Sequence, residues 1–217
     1  MRKMREGKMF TAGNILLAVC LMFLYISCSV TAVLHFRPLY YWDIEHLHIV
    51  ETSGYDEEVI RANYDCLIDY NSLLNREELV FPDFCMSEGG RIHFEEVKRI
   101  FDGFQLMFLA DLIVCIIWVC RRAQKKSFQY LKLAGVLTIA VPAVLGGLIA
   151  SNWNWFFVKF HEVVFRNDYW IFDYVTDPVI NILPDRFFMH CAIGILLMTV
   201  FLAVCSIIAG AVLTKKR

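Results

Sequence analysis

The sequence predicts an all-α integral membrane protein of four transmembrane helices, with a small, mostly helical extracellular cap formed by its two outer loops. Three observations carry this expectation. Of 217 residues, 58% are hydrophobic, against about half in an ordinary soluble domain. Four apolar stretches are long enough to cross a hydrocarbon core of about 30 Å, which needs roughly 20 residues of helix. The basic residues also cluster on alternating sides of those stretches.

The expected spans are about 13–34, 104–120, 128–150 and 187–213. The first has no charged residue, the second only Asp111, and the third has Lys132 near its start. One membrane domain over 1–217 accounts for the whole length. Arg2, Lys3, Arg5 and Lys8 precede the first span, Arg121, Arg122, Lys125 and Lys126 follow the second, and Lys215, Lys216 and Arg217 follow the fourth. The positive-inside rule puts all three groups in the cytoplasm. The loops at about 35–103 and 151–186, which hold nearly all the acidic residues, are then outside. The first apolar run is too long for a signal-peptide h-region and no small-residue cleavage site follows it, so it reads as a span. Ile26-Ser27-Cys28 lies mid-span, which argues against a lipoprotein acylation site.

In the first outer loop, Ser53-Gly54-Tyr55-Asp56 fits a capping box with Ser53 as N-cap. Val59, Ile60, Cys66, Leu67, Tyr70, Leu73 and Leu74 then recur at helical spacing, predicting an amphipathic helix over about 54–74. Phe81-Pro82-Asp83 and Gly89-Gly90 mark turns. A new helix is expected just after Gly90, with His93 in its first turn. In the second loop, Trp153, Phe157, His161 and Phe165 share one face if the segment is helical. His93 and His161 each lie about ten residues outside a span, at most roughly 15 Å above the hydrocarbon. His35, His46, His48 and His190 read as structural. Asp111, a carboxylate inside a span, is either functional or a packing contact to Tyr25, Ser27 or Thr138.

Six of the eight cysteines lie in or at the ends of spans, where cysteine acts as a small hydrophobe. Cys66 and Cys85 lie outside, either bridged or free. There is no C-x-x-C and no H-E-x-x-H, and closely paired outer-loop cysteines and a W-x-L-W-C-type signature are absent as well. These absences argue against a zinc or redox motif, a thiol oxidase and a claudin-like barrier protein.

Two stretches carry a family resemblance. One is C-L-I-D-Y-N from Cys66 to Asn71, with G-G-R-I-H-F-E-E-V-K from Gly89 to Lys98. The other is F-H-E-V-V-F-R-N-D-Y-W-I-F-D-Y-V-T-D-P-V-I-N-I-L-P-D-R-F-F from Phe160 to Phe188. With the four-span layout, these resemble the bacterial lipoprotein intramolecular transacylases. Two positions depart from the family's pattern: Tyr174 stands where it often has Pro, and Glu96 where it often has Asp.

The resemblance implies acyl transfer from the sn-2 oxygen of a diacylglyceryl-modified N-terminal cysteine to that cysteine's own α-amino group. By motif position it implies His93 and His161 as the catalytic pair. The expected substrate-binding residues are Tyr40, Tyr41, Trp42, Asp69, Tyr70, Trp153, Trp155, Phe157, Asn167, Tyr169 and Trp170. The implied partners are a diacylated membrane lipoprotein and membrane lipid, with no nucleic acid, no metal and no cofactor. A reaction within one molecule needs no enzyme nucleophile, in keeping with the absence of a G-x-S-x-G elbow. The only Ser or Cys adjacent to a His is Cys191, beside His190, and helix neighbours do not face each other. Two alternatives remain: a zinc-dependent membrane hydrolase using His93, His161 and Asp69 or Glu162, and a non-enzymatic four-span scaffold.

Overall fold

The computed structural model describes residues 11–124 and 128–215. Its helices are α1 (Ala12–Leu34), α2 (Arg37–His46), α3 (Ile49–Ser53), α4 (Glu57–Tyr70), α5 (Glu88–Gln124), α6 (Gln129–Ser151), α7 (Trp153–Val164) and α8 (Asp185–Lys215), with a 3-10 helix at Pro178–Ile182. No strand occurs among the described residues. α1, α5, α6 and α8 are long and apolar enough to cross a membrane. Leu106, Leu109, Ile113, Val114, Ile116 and Ile117 of α5 are all exposed. An apolar surface of that extent belongs in hydrocarbon rather than water. Of the basic residues used for orientation, Arg2, Lys3, Arg5, Lys8, Lys125, Lys126, Lys216 and Arg217 lie outside the described residues.

The chain divides into two compact units. Of the described residues, 11–30, 106–146 and 195–215 form the first, and 31–105 and 147–194 the second. The first unit is built by close helix packing around Leu17, Ala18, Leu21, Cys115, Tyr130, Leu133 and Ala134. A Cβ on Gly135 would come within 2.5 Å of the Ala203 carbonyl oxygen, so glycine is what lets α6 and α8 approach. The Tyr25 hydroxyl donates to Ser206 Oγ at 2.9 Å, and Ser206 donates to the Leu131 carbonyl at 2.9 Å. This relay ties α1, α8 and α6 together in a setting that offers no water to satisfy such groups.

Asp111 makes none of its expected contacts. Tyr25 is spent on Ser206, while Ser27 and Thr138 donate to carbonyls of their own helices. Asp111 Oδ2 is buried without a partner among the described residues.

The second unit packs α2, α3, α4, the 3-10 helix and the neighbouring ends of the long helices around one aromatic core. Tyr40 is fully buried there, stacked on Tyr64 at 3.7 Å, and its hydroxyl donates to the Ile182 carbonyl at 2.6 Å. Burial next to Asp43 and Tyr64 pushes the Tyr40 hydroxyl pKa far up, so it stays a neutral donor.

Local chemistry moves several helix boundaries from their expected places. Pro38 in the first turn starts α2, with φ preset and no N–H to satisfy. α3 ends at Gly54, whose φ of 76° is left-handed backbone that suits glycine. Ser53 therefore closes α3 and does not cap the next helix; its hydroxyl accepts from the Tyr55 N–H at 3.3 Å. α4 begins after Asp56 and stops at Tyr70, short of Leu74, which is 87% exposed. Gln105 competes for the backbone there, donating to the Asn71 carbonyl and accepting from the Leu73 N–H. α5 starts before the glycine pair, at Glu88, because the Ser87 hydroxyl accepts from the Gly90 N–H at 3.0 Å as an N-terminal cap. Cys66 and Cys85 are free thiols facing the carbonyls of Val80 and of Val175 and Thr176.

Candidate active site

The two motif blocks meet in the second unit. α6 ends at Ser151, and Asn152 opens α7 by accepting the Trp155 N–H at 3.0 Å, a cap worth about 1 kcal/mol. From there Trp153, Phe157, His161 and Phe165 form a continuous ring stripe, with successive centroids 5.6, 4.3 and 5.6 Å apart. The periodicity of the sequence predicts this face.

α5 presents His93 to the same stripe. The two histidine rings lie 6.1 Å apart. His93 is only 6% exposed, and packs against Phe165 at 4.7 Å, Phe172 at 5.4 Å and Phe94 at 5.8 Å. Trp170 lies 4.9 Å from His161.

The glycine pair makes this meeting possible. A Cβ on Gly90 would fall 2.2 Å from Asp177 Oδ1, and one on Gly89 would be 3.2 Å from the Tyr169 ring. Asp177, 2% exposed, accepts the Ser87 N–H at 2.8 Å and the Thr176 hydroxyl at 2.9 Å. Asn167 Nδ2 donates to both oxygens of Glu96, at 3.0 and 3.1 Å. Glycine, aspartate, asparagine and glutamate of the two blocks are thus fasteners around the histidines.

Each histidine is in a distinct state. His161 Nδ1 lies 2.7 Å from the Phe157 carbonyl oxygen. A carbonyl only accepts, so Nδ1 carries the hydrogen and Nε2 of the neutral ring keeps its lone pair. Burial pushes the His161 pKa below its ordinary value, partly offset by that hydrogen bond. His93 Nδ1, Trp153 Nε1 and Trp170 Nε1 are buried without a partner among the described residues.

Other expected site residues lie elsewhere in the unit. Tyr40 belongs to the core described above. The Tyr41 hydroxyl donates to Asp65 at 2.7 Å, with the Arg61 guanidinium 4.0 Å over its ring. Trp42 is exposed and stacks on His46 at 4.1 Å. Asp69 accepts from Arg37 at 2.5 Å. Tyr70 is buried, with the Lys98 ammonium 5.2 Å from its ring. Trp155 and Tyr169 are each about half exposed, at 51% and 45%. Trp153, Phe157, Asn167, Tyr169 and Trp170 are therefore the ones gathered near the histidines or fastening the segment beside them. Phe172, Asp177 and Gly90 join them without having been singled out for the site. Glu162, one of the candidate third metal ligands, pairs with Lys159 at 2.5 Å. Among the described residues no group of three His, Cys, Asp or Glu is placed to hold a metal ion.

The model of the family described as lipoprotein intramolecular transacylase Lit matches residues 15–188. The chain belongs to that family. The in meso structure of the membrane integral lipoprotein intramolecular transacylase Lit from Bacillus cereus superposes with a TM-score of 0.92 at 34% identity, covering 94% of this chain and 95% of that one. A variant of the Bacillus cereus protein with one histidine replaced by arginine gives 0.85 over 94% of this chain and 91% of its own. An uncharacterized protein of Aquifex aeolicus is 29% identical over 124 residues, which are 57% of this chain and 55% of that relative's length. This member of the transacylase family keeps its two most specific sequence blocks in contact, with a histidine from each at the centre.

Proposed function

We propose that the protein moves the acyl chain from the sn-2 oxygen of a lipoprotein's diacylglyceryl-cysteine to the α-amino group of that cysteine, leaving a lyso-form lipoprotein. The observation that carries this reading is the His93–His161 pair, 6.1 Å apart in an aromatic enclosure formed where the two family blocks meet. Nucleophile and electrophile both belong to the substrate, so the enzyme's task is to fold it back on itself and manage protons. Holding such groups in line supplies several kcal/mol of the barrier.

His161 is the base. Its Nε2 lone pair takes the amine proton as nitrogen attacks the ester carbonyl; an α-amino group, with a pKa of about 7.7–8.0, is within reach of an imidazole. His93 is the acid or the oxyanion donor, and a neutral imidazole can donate from its N–H. The proton removed from nitrogen equals the one gained by the glyceryl oxygen. The transfer is therefore proton-neutral and needs neither acyl-enzyme nor cofactor. Trp153, Phe157 and Trp170 wall the slot for the lipid. The cytoplasmic side holds both termini and the connection from α5 to α6, while 35–103 and 151–186 form an extracellular cap in which the cysteine of a membrane-anchored substrate reaches the pair.

Histidine replacement tests this. His93→Asn and His161→Asn should each cut transfer by about a hundredfold or more, and the double variant should be little worse than the poorer single one, because both act in one transition state. Full activity in both single variants would remove the mechanism.

A further inference from the structure

Trp170 carries an indole N–H that is buried and has no acceptor among the described residues. Tryptophan nitrogen only donates, and buried donors without partners are uncommon enough that each asks for an explanation. The indole centroid lies 4.9 Å from that of His161, with the two ring planes tilted by 32°.

The position of the indole is held by several contacts. Asn167, bonded through Nδ2 to both Glu96 oxygens, accepts the Tyr169 N–H on Oδ1 at 3.1 Å, and the Ile171 N–H closes the turn onto the Asp168 carbonyl at 3.1 Å. Glu96 stands one turn beyond His93 on α5. The turn bearing Trp170 is thus pinned to the helix that bears His93, while its indole packs on His161. Apart from Trp170 and each other, the two histidines have phenylalanine rings as neighbours. The ring contact with His161 uses the face of the indole, and the N–H is the feature that this packing leaves unused.

Resting on the acyl-transfer reading above, we propose that the Trp170 N–H is a catalytic hydrogen-bond donor to the carbonyl oxygen of the acyl group in transit. When the α-amino nitrogen forms its bond to the ester carbon, the C=O electron pair moves onto that oxygen. A preoriented donor in a water-poor site stabilises the developing charge far more than water would. As the C=O re-forms, the bond from carbon to the sn-2 oxygen breaks and that oxygen takes its proton from the His93 N–H. The other His93 ring nitrogen receives the amine proton from the His161 imidazolium, so both rings end neutral. Trp170 gains and loses nothing. Giving the oxyanion to Trp170 leaves His93 free for the acid role.

The test uses full-length protein in lipid with a synthetic diacylated lipopeptide. Trp170→Phe keeps a ring and removes the donor. It should lower kcat by about a hundredfold while KM stays within about threefold, because the hydrogen bond, weak to the bound ester carbonyl, strengthens greatly as charge develops in the transition state. An unchanged kcat, or a change confined to KM, would overturn the assignment. A second readout does not depend on how phenylalanine repacks. The indole 1H–15N signal of Trp170 should move downfield when a lipopeptide with a trimethylated α-amine binds, since that analogue keeps the ester and cannot react. An unmoved signal in the saturated complex would also overturn it. Failure of the wild-type protein to N-acylate the parent lipopeptide would instead sink the acyl-transfer reading, and this inference with it.

Discussion

At the site the two histidines differ in the hydrogen-bonding state of their Nδ1 atoms. His161 Nδ1 is committed to the Phe157 carbonyl, whereas His93 Nδ1 is buried and unpartnered among the described residues. The base role proposed for His161 rests on the first fact. Because burial lowers the His161 pKa beneath its ordinary value of about 6.5, the ring is neutral at pH 7. The kcat/KM profile should therefore hold its acid limb below pH 6.5, and a limb centred above 7 that vanishes in His161→Asn would contradict this. The same sign governs folding: protonation favours the unfolded chain, so this group's contribution is lost as pH falls below about 6.5. The proximity of the two histidines was legible in the sequence through their matching depth and their place in the two blocks. Trp170 was legible only as an aromatic, because which ring its indole packs against depends on a turn with no periodicity. Asp111 was legible as unusual, but its expected partners were not, since each found a nearer acceptor. With Oδ2 unpartnered among the described residues, Asp111→Leu should leave the thermal midpoint in detergent unchanged or raised. A drop of several degrees would mean that the carboxylate holds a contact after all.

At the scale of elements, the motif glycines govern how closely the two blocks approach. Gly90 lies beneath Asp177, where a Cβ would stand 2.2 Å from the carboxylate oxygen. Gly90→Ala should push the 165–177 segment away from α5 and cost roughly 1–3 kcal/mol, the usual scale of overpacking. Acyl transfer should fall with it as the histidine rings separate. Wild-type stability and activity in Gly90→Ala would show that the segment adapts freely. Long periodic elements were readable: the four spans and the ring stripe of α7 follow from hydropathy and a spacing of four. Helix ends were less so. Ser53 and Ser87 both precede helical sequence, and neither propensity nor spacing decides which one caps. Ser87 is fixed by the Asp177 carboxylate, 90 residues away in the chain, while Ser53 is cut off by the left-handed turn at Gly54. The end of α4 was hidden for the same reason, since Gln105, 34 residues after Asn71, takes its carbonyl.

On the scale of the whole molecule, orientation in the membrane rests on charge. With other cysteines removed, a membrane-impermeant thiol reagent should label Cys85 from outside, and label Lys126→Cys only after permeabilisation. Labelling of both positions in intact cells would overturn the four-span arrangement proposed here. Exposed Cys85 suits this experiment as it stands. Composition and basic clusters made the membrane character and span number readable, because hydrocarbon thickness imposes a length on any helix that crosses it. The chemistry was readable only through the family blocks, because two histidines on different helices leave no spacing of their own. The account as a whole stands on the product. Mass spectrometry of the N-terminal lipopeptide of a bacterial lipoprotein, made with and without this protein, tests it most directly. The account predicts that the protein converts a free amine bearing two glyceryl-linked acyl chains into an N-acylated cysteine with one chain left on the glyceryl, at unchanged total mass. A lipopeptide that keeps both chains on the glyceryl and a free α-amine, with the protein present and folded, would contradict it.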